Sequence, residues 1–317
     1  MKLLCALLSL LFILTGIGTA TAETDAISFV DPVVEEAVRS ALQLNKDTPL
    51  TAEDLIQLTS FKCFASDIVT LSDLALCTNL QSFSLISDFE NTYDFSPLSN
   101  LNELKSFAFY GVATNLSPIM SLPKLSKLLV SGSVKSLDFS PLAGKTNLED
   151  LYLYCDVSVR DVDFTPLMDQ TSIRQVTLTY LSPEKLRPLL ESWPNLEYLS
   201  LSYIALTSED LAAMKTTCLK TLRLTECNMI NDFTVLSTQP MLRRLDVRSC
   251  NVTNEQLVQI VQTLPELDWL DLGENEITDF SPLKSLKKLK TLFLPSSANQ
   301  QLLAVREMLP DVEVKCQ

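Results

Sequence analysis

The side chains of this sequence with chemical potential are carboxylates, tyrosines, arginines and thiols, because the 317 residues contain no histidine. That absence removes Ser-His-Asp and Cys-His catalysis as usually built, and with them the commonest zinc ligand. Asp246 and Asp271, with Glu274 close by, are the best candidates for acid chemistry. Two carboxyl groups held about 5 to 5.5 Å apart serve a retaining glycosidase as acid and nucleophile. The same acids suit calcium, but the chain has no D-x-D-x-D-G loop. Four glycines lie beyond the first 22 residues, Gly111, Gly132, Gly144 and Gly273, and they are scattered. No phosphate-cradling loop or dinucleotide fingerprint can be built from them, and no cofactor is expected.

These side chains act together only if a regular scaffold aligns them, and the sequence supplies one. Leu267, Leu270, Leu272, Asn275 and Ile277 fit the pattern L-x-x-L-x-L-x-x-N/C-x-L, one turn of a leucine-rich repeat. Equivalent starts fall at Leu58, Leu80, Leu104, Leu125, Leu148, Ile173, Leu196, Leu219, Leu242, Leu267 and Leu289, with Val312 and Val314 as a closing half-strand. Successive spacings stay between 21 and 25 residues, a regularity beyond any chance run of leucine. Each start predicts a short strand with offsets 0, 3 and 5 pointing inward.

Between strands the sequence predicts two kinds of crossing. Asp-Phe-Ser/Thr-Pro-Leu begins at Asp94, Asp138, Asp163 and Asp279, with looser copies at Asn115 and Asp232, and reads as a short turn with its Phe or Leu buried. Ser182, Thr207 and Thr253 instead read as N-caps of outer-face helices. This mixture implies uneven curvature. Ahead of the repeats, Asp31-Pro32 predicts a capping helix with Val34, Val38, Ala41 and Leu42 on one face. Thr51 to Asp54 has capping-box spacing and opens a second short helix with Leu55 and Leu58 inward. A solenoid needs such a cap, since its first strand would otherwise expose the end of the core.

The first 22 residues read as a secretory signal peptide: Lys2, an apolar run from Leu3 to Leu14, and Ala20-Thr21-Ala22 before a cut at Glu23. The apolar run is shorter than the roughly 20 residues a membrane span needs, so no membrane insertion is expected. The formal net charge is −14, which argues against nucleic acid as a partner. The expected division is residues 1–22 as signal peptide, 23–57 as helical cap and 58–317 as repeat domain.

With its secretion signal, helical cap and roughly 22-residue repeats carrying Ile277-Thr278-Asp279-Phe280-Ser281-Pro282-Leu283, the chain resembles the bacterial secreted internalin-type leucine-rich repeat proteins from about Phe29 to Cys316. The resemblance implies an α/β solenoid with a curved parallel sheet inside, short turns and helices on the convex side, and a concave face that binds protein or other surface partners. No sortase-type anchor, wall-binding repeat or immunoglobulin-like module is recognised, so a secreted product without a surface anchor is expected.

Outward-facing residues sit at offsets 1, 2, 4, 6 and 7 from each start. Six of seven tyrosines fall there, Tyr110, Tyr152, Tyr154, Tyr180, Tyr198 and Tyr203, and Trp269 joins them at offset 2. Tyr152, Tyr154, Tyr180, Tyr198 and Tyr203, on three successive repeats, are expected to form one aromatic patch beside a basic strip of Arg223, Arg243, Arg244 and Arg248. Tyr, Trp and Arg carry most interface hot spots because they combine rigid or planar area with a polar end. The expected function is non-catalytic recognition of an extracellular macromolecule, a protein first and a host or wall glycan second, with a carboxylate hydrolase as the minor alternative. On an open sheet Asp246 and Asp271 are expected to be solvated, with no cleft to raise a pKa.

Seven cysteines follow the leader, an odd number that cannot all pair internally. Cys227 and Cys250 take the N/C position of their repeats and read as buried ladder thiols. Cys63 and Cys77 are the candidate staple of the cap. The sequons at Asn115 and Asn251 read as incidental.

Overall fold

A computed structural model describes residues 26–64, 67–155, 162–168 and 170–316, and of Cys155 only the backbone. The expected signal peptide and its cut at Glu23 lie outside the described residues. The rest forms one open, all-parallel sheet of thirteen strands: β1 (Ser60–Phe64), β2 (Ser82–Ile86), β3 (Thr92–Tyr93), β4 (Ser106–Asn115), β5 (Lys127–Ser136), β6 (Asp150–Cys155), β7 (Gln175–Thr179), β8 (Tyr198–Ser202), β9 (Thr221–Thr225), β10 (Arg244–Asp246), β11 (Trp269–Asp271), β12 (Thr291–Leu294) and β13 (Glu313–Cys316). Strand order follows chain order, except that the two-residue β3 pairs only with β4.

Every full strand begins two residues after its predicted start, and equivalent offsets pair across the sheet: Tyr198 opposes Thr221, Arg244 opposes Trp269, and Asp246 opposes Asp271. The inward leucines impose this register. A slip of one residue would turn each strand's buried side chains into solvent. The core runs as a column along the sheet. At its N-terminal end it is aromatic, with Phe61, Phe83 and Phe107 stacked at centroid distances of 5.5 and 5.2 Å and Phe95 edge-on to Phe107 at 4.9 Å. From β5 onward leucine and valine take those positions.

Crossings follow their sequence. In each Asp-Phe-Ser/Thr-Pro-Leu copy the aspartate carboxylate accepts the backbone N–H two residues on, at 2.9 Å for Ser96, 2.8 Å for Ser140, 2.9 Å for Thr165 and 2.9 Å for Ser281. Such a local bond fixes the turn, and the following Phe is buried each time. The helical crossings are α4 (Pro183–Ser192), α5 (Ser208–Ala212) and α6 (Asn254–Thr263). Thr207 and Thr253 close reciprocal capping boxes with Asp210 and Gln256, whereas Ser182 caps without a side-chain bond. The looser copy at Asn115 becomes a single α turn, α3 (Ser117–Met120). The chain closes with α7 (Leu302–Met308) against β13.

Three residues before the strand starts, a second ladder ties repeat to repeat. Lys145 Nζ, Gln170 Nε2, Trp193 Nε1, Thr216 Oγ1 and Gln239 Nε2 each donate to a backbone carbonyl of the preceding turn, at 2.7 to 3.0 Å. Gln170, Trp193, Thr216 and Gln239 are buried there, and each places its donor on that carbonyl.

The cap begins with α1 (Pro32–Leu42) and α2 (Ala52–Leu55). Asp31 caps α1, and Thr51 shares a capping box with Asp54. Val34 and Val38 are buried as expected, but Ala41 is exposed and Ala37 packs on the core in its place. The stripe against the core is Val34, Ala37, Val38 and, as expected, Leu42, and the helix ends at left-handed Gln43. Cys63 and Cys77 form no staple, and both are buried free thiols. Cys63 points inward from β1, while Cys77 stands three residues before Leu80 in the ladder position, so they belong to different rows.

Candidate functional site

The outward row at offset 2 runs Asp150, Gln175, Tyr198, Thr221, Arg244, Trp269, and the row at offset 4 runs Tyr152, Thr177, Ser200, Arg223, Asp246, Asp271, Phe293. Parallel strands about 4.8 Å apart make each row a continuous line of side chains. Tyr152 donates its hydroxyl to Gln175 Oε1 at 2.8 Å, and Lys127 Nζ stands 5.1 Å from its ring centre. Burial, then the nearby Asp150, pushes the Tyr152 hydroxyl up to about 12, so the phenol stays a hydrogen-bonding neutral group.

The five tyrosines gather on β6 to β8 but divide into two layers. Tyr152 and Tyr198 lie over the sheet in the polar rows. Tyr154, Tyr180 and Tyr203 rise at the strand ends, where Tyr180 and Tyr203 stack at 4.8 Å with planes 9° apart. The cause is the backbone. Offset 7 adopts the left-handed conformation at Tyr180, Tyr203, Glu226, Ser249 and Glu274, with φ between 52° and 58°, which swings these side chains onto the rim.

The basic strip is paired. Arg223 Nε meets Asp246 Oδ2 at 3.0 Å, and its bonds to Tyr198 and Asp246 raise its pKa although desolvation opposes this. Arg244 reaches Asp268 at 3.9 Å and Arg248 reaches Glu274 at 3.7 Å. Arg243 leaves the face: one residue ahead of β10, it donates to the Pro240 and Leu242 carbonyls and lies 3.6 Å from Glu266. Arg244 and Trp269 are adjacent in register, and Trp269 leans on Phe293 at 5.4 Å. Phe293, at offset 4 of its repeat, was legible in the frame but not singled out. Phe89, between strands, had no frame to place it.

The acids differ from expectation. Asp246 and Asp271 are 2% and 4% exposed, not solvated. Asp246 is held by Arg223 and by the Arg248 amide at 3.1 Å, and Asp271 accepts the Gly273 amide at 2.8 Å. A Cβ on Gly273 would stand 2.9 Å from Asp271 Oδ1 and 3.5 Å from Arg248 Cγ, so the glycine permits this close packing. Burial, then the like charge of Asp246, raises the Asp271 pKa, while the Gly273 amide and Arg248 and Arg223 oppose the rise. Among the described residues no three metal-ligating side chains of the His, Cys, Asp or Glu type converge.

A raised folded-state pKa means that protonation favours the folded chain, so ionisation of Asp271 is a cost that grows as pH rises through its folded pKa. We therefore expect Asp271→Asn, whose oxygen still accepts from Gly273, to match or exceed the parent in stability at neutral pH. The gain should vanish below about pH 4, near the carboxylate's ordinary value. Urea midpoints at both pH values check this, and a variant less stable at neutral pH refutes it.

A family model for two copies of the leucine-rich repeat matches residues 265–309. Among solved structures, an internalin (inlF) of Listeria monocytogenes is 24% identical over 90% of this chain and 88% of its own, with a TM-score of 0.62. Internalin C2 of the same organism is 22% identical over 84% of this chain and 93% of its own, with a TM-score of 0.44. No curated protein matches the sequence. With the observed register and the repeats matched at residues 265–309, the likeness to the first of these structures shows that the chain folds as a leucine-rich repeat solenoid, similar in fold to that internalin.

Proposed function

We propose that the protein is a secreted, non-catalytic recognition module that binds an extracellular protein partner across the concave face from β6 to β11. The observation that carries this reading is the alignment of Tyr152, Tyr198, Arg223, Arg244 and Trp269 in two adjacent rows on an uncovered parallel sheet. Gln175 holds Tyr152 and Asp246 holds Arg223 by hydrogen bonds, so these two side chains lose little entropy when a second surface arrives. Non-catalytic work is supported by the acids: Asp246 is engaged by an arginine and an amide, which leaves it a poor nucleophile. Secretion rests on the character of residues 1–22. Among the described residues no helix is long and apolar enough to cross a membrane.

The test compares protein beginning at Glu23 with a Tyr152→Ala/Tyr198→Ala/Arg244→Glu variant of matching circular dichroism. Both are used for capture from surface extracts and on a glycan panel. A protein ligand held by the parent should lose about 2 to 4 kcal/mol of affinity in the variant, the scale of interface hot spots. Equal retention by both proteins would sink the reading.

A further inference from the structure

At the strand-end rim, separate from the polar rows, lies an open depression of about 440 Å³. Its walls are Phe89, Tyr154, Tyr180 and Tyr203, and its floor is the chain at Ser131 and Gly132. Phe89 is 65% exposed, Tyr180 44% and Tyr203 51%, a concentration of aromatic surface that a folded chain does not leave in water for stability. The pose is built into the backbone. A Cβ on Gly132 would collide with the Gly111 carbonyl oxygen and meet the Phe89 ring at 2.8 Å, so this ring lies directly on main chain. Tyr180 and Tyr203 hold left-handed angles of 58°, a conformation that L-residues rarely adopt. The basin's flanks are acidic: Asp88 and Glu90 bracket Phe89, and Glu226 takes the same left-handed rim position one strand beyond Tyr203.

We propose that this rim groove is a docking site for an extended peptide segment of the partner that seats an aromatic or aliphatic side chain among Phe89, Tyr154, Tyr180 and Tyr203 and sets a basic side chain against Glu226. The inference rests on the recognition reading above and adds to it the place and chemistry of the contact. Flat rings and a main-chain floor accept an apolar side chain. The acidic flanks and a chain net charge of −14 select a basic neighbour and repel an acidic one. Tyr180 and Glu226 are two strands apart, about 10 Å at 4.8 Å per strand, which an extended peptide spans in about three residues.

The test measures fluorescence anisotropy of short labelled peptides, each carrying one Trp, Phe or Leu followed about three residues later by Arg, Lys, Ser or Glu. Basic peptides should bind at least about tenfold tighter than their Glu counterparts. Tyr180→Asn/Tyr203→Asn should abolish that binding. Asn is chosen because it tolerates the left-handed conformation, so the variant keeps its fold. Glu226→Lys should invert the charge preference. Absence of binding by every peptide, binding without charge preference, or indifference to the tyrosine variant overturns the proposal. So does Tyr180- and Tyr203-dependent retention of an oligosaccharide in place of peptides. If a protein partner still depends on Tyr198 and Arg244 while no peptide binds, the rim inference alone falls.

Discussion

Replacing Asn275 by Ala should lower the stability of the solenoid by roughly 4 kcal/mol, because one buried amide satisfies five backbone groups. Its Nδ2 donates to the carbonyls of Val247 at 2.9 Å, Leu272 at 2.9 Å and Gly273 at 3.0 Å. Its Oδ1 accepts the amides of Cys250 at 3.1 Å and Val252 at 2.9 Å. Alanine removes that partner from the Cys250 and Val252 amides and from the Val247 and Leu272 carbonyls, whereas the Gly273 carbonyl still accepts the Ser249 amide at 3.0 Å. A buried group left unpaired costs about 1 to 3 kcal/mol before relaxation. The two preceding repeats do the same job with thiols. Cys250 Sγ donates to the Leu224 carbonyl at 3.3 Å and Cys227 Sγ to the Leu201 carbonyl at 3.6 Å. Burial pushes these thiols up to about 12 and about 11, so neither is a reactive thiolate near neutral pH. Asn275→Cys should therefore retain one donor and lose about half as much as Asn275→Ala. Urea midpoints with an unchanged slope decide the matter, and an alanine variant within about 1 kcal/mol of the parent would show that water replaces the ladder.

Asp31→Ala should cost roughly 3 kcal/mol and release the cap from the first repeat while β10 and β11 stay protected. One carboxylate does both tasks. Oδ1 accepts Val33 and Val34 at the start of α1, at 2.9 and 3.1 Å, and Oδ2 accepts Val69 and Thr70 after β1, at 2.6 and 3.0 Å. Asp73 returns the tie by accepting the amides of Val30 and Asp31 at 2.9 and 3.1 Å. Burial works to raise the Asp31 pKa, but the amides of Thr70, Val34, Val69 and Val33 outweigh it and hold the carboxyl below its ordinary value of 3.8. A depressed folded pKa gives stabilisation that is present above 3.8 and lost as pH falls through the folded value. The gap between parent and Asp31→Ala should therefore close in strong acid. Hydrogen exchange is the decisive readout: the amides of Val69 and Thr70 should lose protection first. Uniform loss along the sheet would show that the repeats cannot stand without the cap, contrary to nearest-neighbour coupling in a solenoid.

The fold was legible because its signal is redundant. Leucines at offsets 0, 3 and 5 recur at 21 to 25 residues, and one-residue slips are forbidden by burial, so the register of Tyr198, Arg244 and Trp269 could be read before any coordinates. The turn at each Asp-Phe-Ser/Thr-Pro-Leu copy was legible for a local reason, since its defining bond spans two residues. Ala41 is exposed because the core-facing stripe of α1 runs through Val34, Ala37, Val38 and Leu42, and a helical period alone leaves both Ala37 and Ala41 as candidates for the fourth place.

The outward placement of most candidate side chains was legible, and their state was not. By itself the sequence determined which side chains leave the core and which strands carry them, because alternation along a strand is geometric and repeats the same way at each turn. Only the tertiary structure decided what those side chains became. Asp246 and Asp271 turned out buried and clamped, Arg243 turned to another edge, and the tyrosines split between sheet and rim. Each outcome depends on neighbours 22 to 25 residues away brought one strand apart and on left-handed backbone at the strand ends. Phe89 joined the rim from a loop outside the repeat frame, where only the close approach of the Gly111 and Gly132 main chain gave its ring a place to lie.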